Sequence, residues 1–137
     1  MNQTPSQTVG PYYSIGLCRR PEAELVTGGV RLAGRLLDGQ GEPIRDGVVE
    51  VFDPQTRTWG RSGTDEEGRF AFVVPREAPR LEAFVFARGL LRHQLTRIYL
   101  DGGADAEDET LVAARDGDGF RFDIRMQGDQ ATLFFEH

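Results

Sequence analysis

Lysine is missing from this chain: all sixteen of its basic residues are arginine. That excludes Schiff-base and lysine general-base chemistry and leaves only forked, permanently charged cations suited to carboxylates. Cysteine is nearly missing too. Cys18 stands alone, so no intrachain disulfide can form, and a reducing compartment is compatible with that. Arg19 and Arg20 beside it would lower the thiol pKa, but no histidine is close in sequence, and an inert thiol is the plainer reading. The only histidines are His93 and His137, and no G-x-S-x-G is present. Nucleophilic catalysis therefore has little support. His93, between Arg92 and Gln94, reads as a structural residue on a strand, and His137 as terminal. No apolar run approaches ~18 residues, so no membrane span is expected. Residues 1–20 show no apolar targeting core and no cleavage site, which makes the cytoplasm the default expectation. The net charge of −6 with no basic stripe argues against nucleic acid.

What is present is a chain of 137 residues with 17 glycines, the size of one domain that buries roughly 68% of its unfolded surface. Residues 30–37 alternate Val30, Leu32, Gly34, Leu36 against Arg31, Ala33, Arg35, Leu37 and are expected to form a strand. Further strands are expected over residues 47–53, 69–74, 80–87, 90–100, 120–125 and 131–136. Turn residues separate them: D-G-Q-G at 38–41 and D-E-E-G at 65–68, both expected as hairpin turns, D-G-D-G at 116–119 and Gly128-Asp129. No window of about eleven residues holds a helical period. Even strand spacing predicts an all-β, antiparallel sandwich. The acidic stretch 101–109 lacks the order of a calcium loop and reads as solvated.

Three stretches resemble one family. They are T-P-S-Q-T-V-G-P-Y-Y-S-I-G-L at 4–17, V-F-A-R-G-L-L-R-H-Q-L-T-R-I-Y at 85–99, and F-R-F-D-I-R-M-Q-G-D-Q-A-T-L-F-F at 120–135. Between them, residues 34–74 run G-x-L-x-D-x-x-G-x-P-x-x-D-G-x-V-x-V and then T-D-x-x-G-x-F-x-F. Taken in order, these pieces resemble the protocatechuate 3,4-dioxygenase alpha chains, a family of intradiol ring-cleaving enzymes. The resemblance implies a prealbumin-like β-sandwich, with residues 1–29 as an N-terminal arm and linker and 30–137 as the sandwich.

It also implies an assignment for the metal. In the family's catalytic beta chains, ferric iron is held by two tyrosines and a His-x-His pair on one strand, a spacing that puts both imidazoles on one face. The matching positions here are Arg80 and Glu82, and arginine cannot ligate iron. The loops expected to carry the tyrosines, residues 53–59 and the P-R-E-A-P at 75–79, contain none and are short for the family. His93 and Tyr99 cannot stand in, being ~20 Å apart on a strand.

The resemblance therefore implies an alpha-type subunit with no cofactor of its own. Fe(III) would lie in a beta partner, and an aromatic diol would sit at a shared site. Thr8, Gly10, Pro11 and Tyr12 in the arm, and Arg88 after the second match, are the pocket or interface candidates it implies. The arm is expected to contact another chain, whether the beta partner or a second copy. The rival expectation is a free-standing β-sandwich binding or structural module, which the trimmed loops favour.

Overall fold

The computed structural model describes residues 23–87, 93–100, 106–127 and 131–135. Among them are nine strands in two sheets. One sheet contains β1 (Val30–Leu37), β4 (Arg69–Val74), β7 (Ala114–Asp116), β8 (Gly119–Arg121) and β9 (Ile124–Arg125). Its order is β4-β1-β8-β7, with β9 also paired to β1. The other contains β2 (Val48–Asp53), β3 (Thr58–Gly63), β5 (Arg80–Phe86) and β6 (Gln94–Tyr99), in the order β3-β2-β5-β6. The second sheet is antiparallel throughout, whereas β8 and β9 run parallel to β1. The architecture is the expected all-β sandwich, antiparallel in most of its pairings.

Strict alternation builds the core. Val49 and Val51 on β2, Leu81, Ala83 and Val85 on β5, and Ile98 on β6 point inward from the second sheet. They meet Leu32, Leu36, Phe70, Phe72, Val74 and Ile124 of the first, all fully buried. Burying each of these larger side chains contributes about 1.5–3 kcal/mol before conformational entropy is subtracted. A 3-10 turn at Glu109–Leu111, capped by the Asp108 carboxylate, pins Leu111 in the interior.

The two glycine-bearing motifs are the same device used twice. Asp38 Oδ1 accepts from the backbone N–H groups of Gln40 and Glu42, and Asp65 Oδ1 from those of Glu67 and Arg69. Each aspartate satisfies donors that its tight loop leaves unpaired. Gly41 and Gly68 close the loops at φ of 81° and 76°, where a side chain is strained. The loops also bond to one another through β1, with Leu36 N–H donating to Gly68 O and Ile44 N–H to Leu36 O. Thr64 locks the arrangement by accepting from Gly47 N–H and donating to Ile44 O.

Several expected elements come out differently. The D-E-E-G loop is a tight turn but not a hairpin: it carries the chain from β3 in one sheet to β4 in the other. Residues 53–59 are not a loop throughout. Buried Asp53 caps a turn by accepting from Gln55 N–H and Thr56 Oγ1, and β3 starts at Thr58.

The strand expected over 120–125 is broken into β8 and β9. The Phe122 carbonyl presses on Gly34, and the Asp123 carboxylate, rather than backbone, accepts from Arg35 N–H. Over 131–135 there is no strand, only a single bridge from Phe135 to Leu95. Ala23 and Leu25, inside the expected linker, are buried in the core, and Leu25 N–H donates to Val73 O.

Candidate functional site

The alternation that buries one face of the second sheet sends its other residues outward. The ladder registers set these in rows. Phe52 lies opposite Trp59 on one side and Glu82 on the other, and Glu82 lies opposite Arg97. In the next row Glu50 lies between Arg61 and Phe84, with Leu95 beyond. Directly opposed side chains on such a ladder have Cβ atoms about 4.5–5.5 Å apart. The rows enclose an open groove of about 610 Å³ lined by Glu50, Val51, Phe52, Trp59, Arg61, Glu82 and Phe84. Among the described residues, the two large hydrophobic residues that stand exposed, Trp59 at 59% and Phe86 at 38%, both belong to this face.

Charge is distributed unevenly across the groove. Arg61 bonds Glu50, its Nε donating to Oε2 at 2.9 Å. Arg97, directly across from Glu82, turns away. It pairs with Glu107, and its guanidinium sits 4.5 Å from the centre of the Phe135 ring. Tyr99 also donates to Glu107, at 2.7 Å. That hydroxyl, followed by backbone hydrogen bonding and the Arg97 charge, holds the Glu107 carboxyl below its ordinary value. Asp108 is likewise held low, by the Thr110 backbone N–H and hydroxyl. Glu107 thus captures both cross-strand partners of the Arg80 and Glu82 positions. Arg80 and Glu82 point outward on β5, half-buried, and no ion pair or hydrogen bond ties either to another described residue. His93 packs against Phe84 and Phe86 with its ring tilted to both, the centres 5.3 and 5.1 Å away.

The structure therefore brings the two expected metal-pair positions to one face, at the edge of the groove. Thr8, Gly10, Pro11, Tyr12 and Arg88 lie outside the described residues. Among the described residues no group of three or more His, Cys, Asp or Glu could hold a metal ion, and no helix is long and apolar enough to cross a membrane. Trp59, Phe52 and the Tyr99–Glu107–Arg97 cluster escaped the sequence reading. T-W-G-R-S-G carries Gly and Ser at its buried positions, so β3 shows no apolar alternation and nothing in its sequence sets Trp59 on a strand.

No family model matches the chain. Curated relatives do, over nearly their whole length. The protocatechuate 3,4-dioxygenase alpha chain of Burkholderia cepacia is 32% identical, the alignment covering 99% of this chain and 98% of the relative. The alpha chain of the same enzyme from Pseudomonas putida is 30% identical, with 98% and 96% covered. The chain belongs to the protocatechuate 3,4-dioxygenase alpha chain family. The first alignment runs to 195 positions against a chain of 137 residues, so the relatives hold segments that this one lacks.

Solved structures agree on the fold. The dioxygenase domain of a dioxygenase–carbohydrate-binding fusion from Streptomyces sp. SirexAA-E superposes with a TM-score of 0.59 at 22% identity, covering 93% of this chain and 99% of that one. Catechol 1,2-dioxygenase from Pseudomonas arvilla C-1 gives 0.55 at 20% identity, with 80% and 58% covered.

Proposed function

We propose that this chain is a non-catalytic, iron-free alpha-type subunit of an intradiol ring-cleaving dioxygenase. An iron-bearing beta chain would cleave an aromatic diol such as 3,4-dihydroxybenzoate between its hydroxyls, with O2 as oxidant. This chain would supply pocket walls and assembly. The observation that carries the reading is the pair Arg80 and Glu82. They occupy outward positions two residues apart on β5, where the resemblance implies that the family's catalytic chains place their two imidazoles. A guanidinium offers no lone pair to a ferric ion, and one carboxylate is no site. In this reading Thr8, Gly10, Pro11, Tyr12 and Arg88 form the wall of the partner's pocket: rigid Gly-Pro backbone, an aromatic face and a fork for a carboxylate.

Co-expression with a homologue that retains His-x-His and two tyrosines tests this. The complex should take up O2 on 3,4-dihydroxybenzoate, with all its iron in the partner. Equal turnover by the partner without this chain overturns the reading. The missing segments relative to the curated alpha chains favour a second reading, a free-standing β-sandwich binding module. Failure to co-purify with any such homologue would select it.

A further inference from the structure

The geometry points to a cation-binding site in the groove of the second sheet, one that takes a guanidinium or alkylammonium group through aromatic faces and the Glu82 carboxylate. The inference stands independently of any dioxygenase role, because it uses only this chain's own residues. Phe52 forms the middle of the slot, with Trp59 directly opposite it on β3 and Glu82 directly opposite it on β5. Phe84 lies next to Glu82 along the same face, and Glu50 lies opposite Phe84. A cation lying over Phe52 thus meets one aromatic residue below it, a second at one side, and a carboxylate at the other. Aromatic rings present a negative face to a cation. A charge set among two or three such rings gains more than at a single exposed ring.

Three observations favour a cation over an anion or a neutral ligand. The groove is lined by two carboxylates and one guanidinium, and that guanidinium is already spent on Glu50. Glu82 keeps no partner among the described residues, although Arg97 faces it across the ladder, because Glu107 and Phe135 hold Arg97 away. The chain as a whole carries a net charge of −6, so the long-range field draws cations in. Arg80 lies on the same strand face but does not line the groove. Trp59, at 59% exposure, leaves the slot open. A guanidinium is flat and weakly hydrated, so it stacks on rings at little desolvation cost. That makes an arginine side chain the best-fitting occupant.

Trp59 is the chain's single tryptophan and sits in the slot, so its fluorescence reports occupancy directly. The full-length chain is titrated with N-acetyl-arginine amide at constant ionic strength. The control is N-acetyl-citrulline amide, which has the same shape without the charge. Tetramethylammonium tests the free cation and a short Gly-Arg-Gly peptide the chain-borne one. We expect a saturable response to the arginine probe with a dissociation constant on the order of 1 mM, and none to the citrulline probe. Glu82→Gln, which preserves shape, should weaken binding roughly tenfold. Phe52→Leu, which keeps the surface apolar, should weaken it several-fold. A peptide that binds more tightly than tetramethylammonium identifies a protein-borne arginine as the occupant, and the reverse order a free organic cation; either supports the site. No saturable response to any of the cations, an equal response to citrulline, or a Glu82→Gln variant that binds like the wild type overturns it.

Discussion

Gly34→Ala tests the account of why β8 and β9 are separate strands. Gly34 lies on β1, the central strand of its sheet, paired with Phe70 on one side and approached by Phe122 on the other. A Cβ built there would stand 1.7 Å from the Phe122 carbonyl oxygen, 2.6 Å from its carbon and 3.1 Å from Phe70 Cζ. The obstacle is backbone, which cannot swing aside as a side-chain tip can. To reach even a 3.0 Å contact the chain at Phe122 must retreat by roughly 1.3 Å, in an interior packed to crystal density. That retreat breaks the Phe122 N–H bond to Ala33 O, now 2.9 Å, and the Arg35 N–H bond to Asp123 Oδ1, now 3.0 Å. Each costs about 1 kcal/mol. It also drags buried Phe120, Phe122 and Ile124 out of register with the core, an overpacking cost of about 1–3 kcal/mol.

The sum is about 3–5 kcal/mol out of the 5–15 typical of a domain. With a urea slope of about 2 kcal/mol/M, the unfolding midpoint should fall by roughly 2 M. Far-UV circular dichroism and Trp59 fluorescence measure it. Gly117→Ala is the control. Gly117 has φ of 62° in the β7–β8 hairpin and open space around it, so only the left-handed strain of about 1–2 kcal/mol applies. If Gly34→Ala costs no more than Gly117→Ala, close approach is not what breaks the strand.

Tyr99→Phe should flatten the acid limb of stability. Glu107 is held below its ordinary value, so its contribution is present above pH 4.5 and is lost as the pH falls below that through the lowered folded value. Removing the largest cause shrinks that loss, and parallel melting-temperature profiles for variant and wild type between pH 7 and 3 would refute it. The purified chain should be colourless and contain no stoichiometric iron; metal analysis finding one iron per chain, with a visible charge-transfer band, would contradict this. Deleting residues 1–13 should leave the strand-type circular dichroism spectrum unchanged, since the described core begins at Ala23. It should weaken assembly with a beta partner and raise the KM of the complex; unchanged light-scattering mass and unchanged turnover would sink the arm's assigned role.

Strands whose buried residues are apolar could be read directly. β1 and β4 begin and end where alternation places them, because Leu32, Leu36, Phe70 and Phe72 mark the inward face at every second position. β3 could not be read that way: its buried positions are Gly60 and Ser62, and what holds it is pairing to β2 rather than any hydrophobic signal. The break at Phe122 and Asp123 was hidden for another reason. F-R-F-D-I-R alternates well, and only the approach of a distant glycine interrupts it. The groove does not show in the sequence because it joins the β2–β3 pair to β5, some twenty residues further on, and because β3 carries no apolar alternation. The diversion of Arg97 to Glu107 is a tertiary choice that no local pattern encodes.

Why the fold was legible and the activity was not follows from the same alternation. On β5 the inward residues Leu81, Ala83 and Val85 carry the packing, and each is fully buried. The outward residues Arg80, Glu82, Phe84 and Phe86 carry none of that core. A pair of imidazoles at 80 and 82 could give way to a guanidinium and a carboxylate without moving one buried atom. Half-exposed positions of this kind typically shift stability by less than ~0.5 kcal/mol. A β-sandwich whose metal pair stands on the outer face of a strand can therefore lose its chemistry and keep its architecture at almost no energetic cost. The same freedom lets an outer face of this kind acquire another use, and Glu82, with no partner among the described residues, stands beside Phe52 and Trp59 on such a face.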